Sequence, residues 1–150
     1  MIFHSALNIF FSLLYNQFAF SYDLVAAIVS LGKWQNWCRQ VLPYISGQTV
    51  LEIGHGPGHL HKSLSQAGFI AFGLDKSAQM GFLALRNLHR STIGDGDTRE
   101  FPNLVRGRAE QIPFADNSFH TIVATFPTEY IFQETTILEI QRLLKTDGKV

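Results

Sequence analysis

Val50-Leu51-Glu52-Ile53-Gly54-His55-Gly56-Pro57-Gly58-His59-Leu60 decides how this chain is read. An apolar run closes on an acidic residue and opens into three alternating glycines. Such a run predicts a buried parallel strand feeding a tight turn into a helix. Glycines at 54, 56 and 58 remove side chains where a ligand or another stretch of backbone comes close. Beyond the turn, Leu60, Leu64 and Ala67 have helical spacing, and Gly68 fits a C-terminal cap. A second apolar strand, Phe69 to Leu74, ends in the carboxylate of Asp75. Ser77 is placed to cap the next helix, with Met80, Ala84 and Leu88 on its inner face.

The rest of the chain repeats this alternation. A polar loop over 91–102 leads to a short third strand, Leu104 to Gly107, and Ser118 to Phe126 reads as a buried fourth. Thr135 to Leu144 is helical, Asp147-Gly148 is a turn, and Lys149-Val150 opens a fifth strand. Strands alternating with helices predict a parallel α/β sheet with right-handed crossovers. The expected division is an N-terminal helical cap over 1–47 and the sheet domain over 48–150.

The cap is the most apolar part of the sequence. Residues 1–32 carry one acidic or basic side chain, Asp23. His4, Asn8, Ser12 and Asn16 recur every four residues, a narrow polar stripe on a helix otherwise made of residues such as Phe3, Leu7, Phe10, Phe11 and Leu14. A helix packed on the domain is the working expectation. Membrane association through 1–31, in the interface or across it, is the alternative, and it is disfavoured by the lack of Lys and Arg on the polar face and by the polar interruptions. Trp34 and Trp37 follow on a further helix at i, i+3 spacing, where core packing explains them.

Hydrophobic residues make up 46% of the chain and charged residues 16%, which excludes a disordered polymer. Lys+Arg and Asp+Glu both total 12, so no global basic field exists to hold nucleic acid. Cys38 is the lone cysteine, so neither an intrachain disulfide nor a cysteine metal site is available. A reducing, cytoplasmic setting is expected. His55, His59 and His61 straddle the turn without forming a regular helical pair, so no metal site is expected. His55 is expected to line the turn, with His59 and His61 facing solvent.

Spacing separates the nucleotide turns. A dinucleotide fingerprint starting at Gly54 needs glycine at 59, where His59 stands, which disfavours a NAD-dependent oxidoreductase. A phosphate-gripping loop needs Gly-Lys-Ser/Thr before its helix, and the chain reads Gly58-His59-Leu60.

The quoted stretch resembles the first motif of the class I S-adenosylmethionine (SAM)-dependent methyltransferases, hydrophobic-hydrophobic-Glu/Asp-hydrophobic-Gly-x-Gly-x-Gly. Asp75-Lys76-Ser77-Ala78-Gln79-Met80 resembles the family's Asp-x-Ser-x-x-Met. Gly107-Arg108-Ala109-Glu110-Gln111-Ile112-Pro113-Phe114 is similar to its Gly-Asp-Ala-Glu-x-Leu-Pro-Phe. Glu139 to Gly148 is similar to its Glu-x-x-Arg-hydrophobic-Leu-Lys-Pro-Gly-Gly. The likeness covers roughly residues 48–150 and is greatest to the methyltransferase type 11 group. Arg108 and His120 depart from it, each standing where Asp is usual.

The resemblance implies a Rossmann-like, doubly wound parallel sheet of order 3-2-1-4 with N-terminal capping helices. A complete sheet of the family has seven strands, so the C-terminal strands are expected to be missing and the edge of the fourth strand open. The implied cofactor is S-adenosyl-L-methionine. Glu52 offers negative charge toward its amino or sulfonium group, and Gly54, His55, Gly56 and Gly58 let backbone approach its methionine portion. Asp75 is expected to accept from the ribose hydroxyls, Lys76 and Met80 to flank the adenine or ribose, and Ala109, Glu110 and Phe126 to complete the site.

Methyl transfer needs the nucleophile, methyl and sulfur held in line and water excluded, so no fixed catalytic triad is expected. Glu129 and Tyr130 are candidates to assist an acceptor. Phe126-Pro127-Thr128-Glu129 replaces the Asn/Asp-Pro-Pro-Tyr/Phe of base-methylating enzymes, which points to a small-molecule acceptor and away from nucleic acid. A non-catalytic SAM- or nucleoside-binding module is the alternative, kept open by Arg108 and His120.

Overall fold

The computed structural model describes residues 34–89, 102–125 and 129–150. The helices expected over 1–32, the loop over 91–101 and Phe126 lie outside them. The first strand, β1 (Thr49–Ile53), and the second, β2 (Ile70–Asp75), pair in parallel from Thr49↔Ile70 to Ile53↔Leu74. β3 (Asn103–Arg106) adds to the far side of β2, and β4 (Phe119–Val123) pairs with β1. With β5 (Leu144–Lys149) beyond β4, the sheet order is 3-2-1-4-5.

Parallel neighbours need crossovers, and helices supply them. α1 (Trp34–Arg39) precedes the sheet, α2 (His59–Gln66) joins β1 to β2, α3 (Ala78–His89) follows β2, and α4 (Glu134–Leu143) joins β4 to β5. Side chains alternate across each strand and so build two cores. Val50, Ala71 and Val123 meet Leu60 and Leu64 of α2 and Cys38 of α1 on one face. Leu51, Ile53, Leu74 and Ile122 meet Ile140 and Leu143 of α4 on the other. On that second face Phe72, Phe114 and Phe119 form an edge-to-face trio with centroids 5.1–5.5 Å apart. Each such contact contributes about 0.5–1.5 kcal/mol beyond its buried area.

The segment before the sheet docks on the first core. Val41, Leu42 and Ile45 pack against it, and Thr121 Oγ1 donates to the Ser46 carbonyl at 2.8 Å. Trp37 does not share in that core: it is exposed, and its neighbour Cys38 takes the buried place. Among the described residues, no helix is long and apolar enough to cross a membrane.

The fifth strand differs from expectation. It starts at Leu144 rather than Lys149, because α4 passes straight into extended backbone there (φ −70°, ψ 137°). Phe119 pairs with Leu144 and Thr121 with Lys149, so the residues between bulge out of the ladder. The expected Asp147-Gly148 turn is that bulge. It folds back so closely that a Cβ on Gly148 would lie 2.8 Å from Leu144 Cδ2 and 2.9 Å from the Lys145 carbonyl. The β4 edge, expected to be open, is therefore paired along this stretch. The order reverses between β1 and β4, and open α/β sheets bind ligands beyond the strand ends at such a point.

Candidate functional site

At the carboxyl end of β1 the chain turns sharply. Gly54, Gly56 and Gly58 all have positive φ, at 75°, 50° and 83°. At Gly54 the freedom is also spatial, since a Cβ there would meet the Tyr130 hydroxyl at 2.7 Å. The Gly54 and His55 amides both donate to the Leu74 carbonyl, at 2.7 and 3.3 Å, and tie the turn to the end of β2. Asp75 completes the tie. Its Oδ2 accepts from the Gly56 amide at 3.0 Å and its Oδ1 from the Ser77 amide at 2.8 Å. Ser77 Oγ in turn accepts from the Met80 amide at 3.3 Å, which caps α3 as its position predicts.

Beneath the turn lies a buried polar cluster. Glu52 is 1% exposed and His61 1% exposed, and His55 is buried beside them. Burial, with the nearby Asp75 carboxylate adding, pushes the Glu52 carboxyl up to about 8. Burial pushes His61 down to about 4, with His55 adding, and it lowers His55 as well. His55 Nδ1 lies 2.8 Å from the Gly56 carbonyl. Gly73 of β2 makes room for both rings: a Cβ there would lie 3.0 Å from His55 Cδ2 and 3.2 Å from His61 Nδ1. The expectation that His61 faces solvent is thus corrected. Two residues on from His59, about 200° around the helix, it lies on the buried side of α2 with Leu60 and Leu64.

The other expected residues divide. Glu52, Gly54, His55, Gly56, Asp75, Glu110 and Tyr130 converge, the last feeling the charges of Asp75 and Glu110. Burial, reinforced by those two carboxylates, raises the Tyr130 hydroxyl to about 12. Gly58 packs against α3, where its Cβ would lie 3.1 Å from that of Ala84. Ala109 is buried at the same strand ends, but Met80 is wholly enclosed and offers no surface. Lys76 and Glu129 are exposed. Phe126 is outside the described residues.

Sequence reasoning did not anticipate how the 107–116 loop is held. Arg142 on α4 donates to Glu139 through Nε and Nη2, both at 2.8 Å. It also reaches the Phe114 carbonyl at 2.7 Å, Asp116 Oδ1 at 2.7 Å and the Ile112 carbonyl at 2.9 Å. Glu139 Oε2 accepts from the Ile112 amide at 2.7 Å. Two of the motifs that carried the family resemblance are therefore one clamp. The Glu-x-x-Arg spacing, i to i+3 on a helix, was the available signal.

The two departures are local. Arg108 points outward and bonds Glu110 Oε1 at 2.9 Å. His120 sits at the opposite end of the sheet, where its Nδ1 lies 2.7 Å from Thr49 Oγ1. Its ring fills the space where Gly47, at φ 70°, has no side chain.

A family model described as a methyltransferase domain matches residues 51–150. A protein named an uncharacterized methyltransferase from Anoxybacillus flavithermus is 34% identical over 108 residues, covering 70% of this chain and 46% of that protein. The demethylmenaquinone methyltransferase of Renibacterium salmoninarum is 27% identical over 141 residues, covering 91% and 55%. A solved structure from Methanococcus maripaludis, provisionally described as an S-adenosyl-L-methionine-dependent methyltransferase, superposes with a TM-score of 0.68 at 27% identity, covering 87% of this chain and 59% of that one. The chain spans about half the length of the curated relatives it matches. The matched region takes in the very strands and loops that build the crevice, and the chain belongs to the methyltransferase-domain family of class I SAM-dependent methyltransferases.

Proposed function

We propose that the chain binds S-adenosyl-L-methionine at the carboxyl ends of β1 and β2 and methylates a small, largely apolar molecule. The observation that carries this reading is the placement of two buried carboxylates, Glu52 and Asp75, on either side of a turn whose three glycines have positive φ. The donor set fits the ligand. Glu52 Oε2 is buried without a partner, which suits a ligand bearing an ammonium and a sulfonium. Asp75 uses one lone pair on each oxygen for backbone amides and keeps others for ribose hydroxyls.

When bound, SAM supplies an activated methyl group that an acceptor nucleophile takes in line, leaving S-adenosylhomocysteine. The chain's part is to bind, orient and exclude water. The turn presents backbone at 54–58, and Ala109 and Glu110 close the adenosine side. Tyr130, neutral at physiological pH, serves as a hydrogen-bond donor over Gly54 and not as a base. Glu129, exposed at the start of the short 3-10 turn Glu129–Phe132 that carries Tyr130, is the remaining candidate to take an acceptor's proton.

A quinone-like acceptor is favoured by the relative named for demethylmenaquinone and by the aromatic N-terminal segment. A cytoplasmic setting suits the lone cysteine. Calorimetric titration with SAM, S-adenosylhomocysteine and NAD tests the reading. Binding of both sulfur nucleosides is expected; heat from NAD alone would overturn it. Release of S-adenosylhomocysteine on adding a reduced demethylnaphthoquinone then tests the acceptor.

A further inference from the structure

Glu52 and His61 have a relationship that cofactor contacts alone do not require. Glu52 Oε2 and His61 Nδ1 are both buried without a hydrogen-bond partner, and they face one another at 4.0 Å. The carboxyl accepts the His61 backbone amide through its other capacity. The groups that face it are Asp75 on β2, Cys38 on α1 and His61 on α2, while His55 from the turn acts on His61. Two of these are acids and the third is an imidazole held neutral by burial. A buried carboxylate with a bare oxygen and a second carboxylate beside it is costly. The protonated form meets that environment at less cost, since the bare Oε2 then carries no charge opposite the unpartnered imidazole nitrogen 4.0 Å away.

We propose that Glu52 is held protonated in the empty chain by its buried place beside Asp75 and a neutral His61, and that SAM binding converts it to carboxylate with loss of one proton to solvent. The step balances. The Glu52 O–H bond breaks, water takes the proton, and the negative charge left behind is matched by the net positive charge of the arriving ligand. This inference rests on the proposed SAM site.

The raised Glu52 value, about 8, sets the window. At pH 7 binding releases up to about one proton from Glu52, and affinity tightens as pH rises toward the Glu52 value until loss of the ligand's own α-ammonium, ordinarily at about 7.7–8.0, opposes it. The measurement is calorimetric titration of the chain with SAM at pH 7 in phosphate and in Tris, whose ionisation heats differ widely. No binding heat in either buffer overturns the SAM site itself. Equal heats in the two buffers leave the site standing and overturn the proton link.

One variant locates the proton. Glu52→Gln is expected to bind SAM more weakly and to release none; release that persists assigns the proton elsewhere and overturns the proposal.

Discussion

Two buried or half-buried polar clusters sit on opposite faces of this sheet, and they are finished to different degrees. Around Arg142, the guanidinium bonds two carboxylates and two carbonyls, and Glu139 also takes the Ile112 amide. Beneath the glycine turn, Glu52 Oε2 and His61 Nδ1 face one another at 4.0 Å with no partner. A saturated cluster fixes geometry. An unsaturated one holds interaction capacity that only a ligand or a proton can use, and native chains keep few such groups. The first should therefore respond to mutation through stability, the second through binding and pH.

Arg142→Met breaks the saturated side. It strips Glu139 of its cation and leaves two carbonyls bare. The side chain is 31% exposed, so the loss should be about 3 kcal/mol rather than the larger cost of a fully buried pair. Urea unfolding reads it directly, and the midpoint of thermal unfolding should fall by about 6–12 °C. A loss below about 1 kcal/mol would show the clamp to be surface decoration.

Asp75→Ala belongs to both clusters in character, because its oxygens already hold two backbone amides. Stability should fall by about 1–2 kcal/mol, and SAM affinity by tenfold or more as the ribose acceptors go. Affinity that survives while stability drops would make Asp75 only a staple for the turn.

How far was this legible in the sequence? The strands, the turn and Asp75 at a strand end were, because apolar runs ending in acids and glycines report local backbone directly; the sheet order came from the family resemblance. The buried state of His61 was not. Its register on α2 follows from Leu60 and Leu64, but no local rule puts a histidine inside when the facing glycine, Gly73, is a strand away. His120 read as a departure from family pattern for the same reason: its partners Gly47 and Thr49 lie across the sheet's other end. The start of β5 was misplaced because Asp147-Gly148 gives the same signal for a turn as for a bulge.

The pH dependence of stability sharpens the contrast further. Glu52 rises from 4.5 to about 8 on folding, so the folded chain keeps a proton the unfolded chain loses between those values. Its contribution is full below pH 4.5 and is lost as pH rises through about 8. His61 falls from 6.5 to about 4, so its penalty appears as pH drops below 6.5. The two oppose each other between pH 4.5 and 6.5. From about pH 6.5 to 8 only the Glu52 effect remains, and stability should decline. Glu52→Gln should flatten that decline and exceed the parent in stability at pH 8, by urea unfolding at both ends of the window. A parent curve flat from 6.5 to 8 would mean Glu52 is ionised throughout.

Arg108→Ala is the smallest expected effect and the cleanest control on the comparison. Arg108 lies at the crevice margin, yet its side chain is 75% exposed and its partner Glu110 is partly exposed too. The bond at 2.9 Å is well formed, and it lowers the Glu110 carboxyl while raising the guanidinium. Solvent screens such a pair, and water replaces either partner. Unfolding should be unchanged within error, unlike Arg142→Met. If Glu110 reaches the adenosine, the substitution frees it, and SAM should bind as tightly or slightly tighter. A clear loss of SAM affinity with unchanged unfolding would instead place Arg108 itself in the site, and the crevice would then carry a cation where the family's usual residue is an acid.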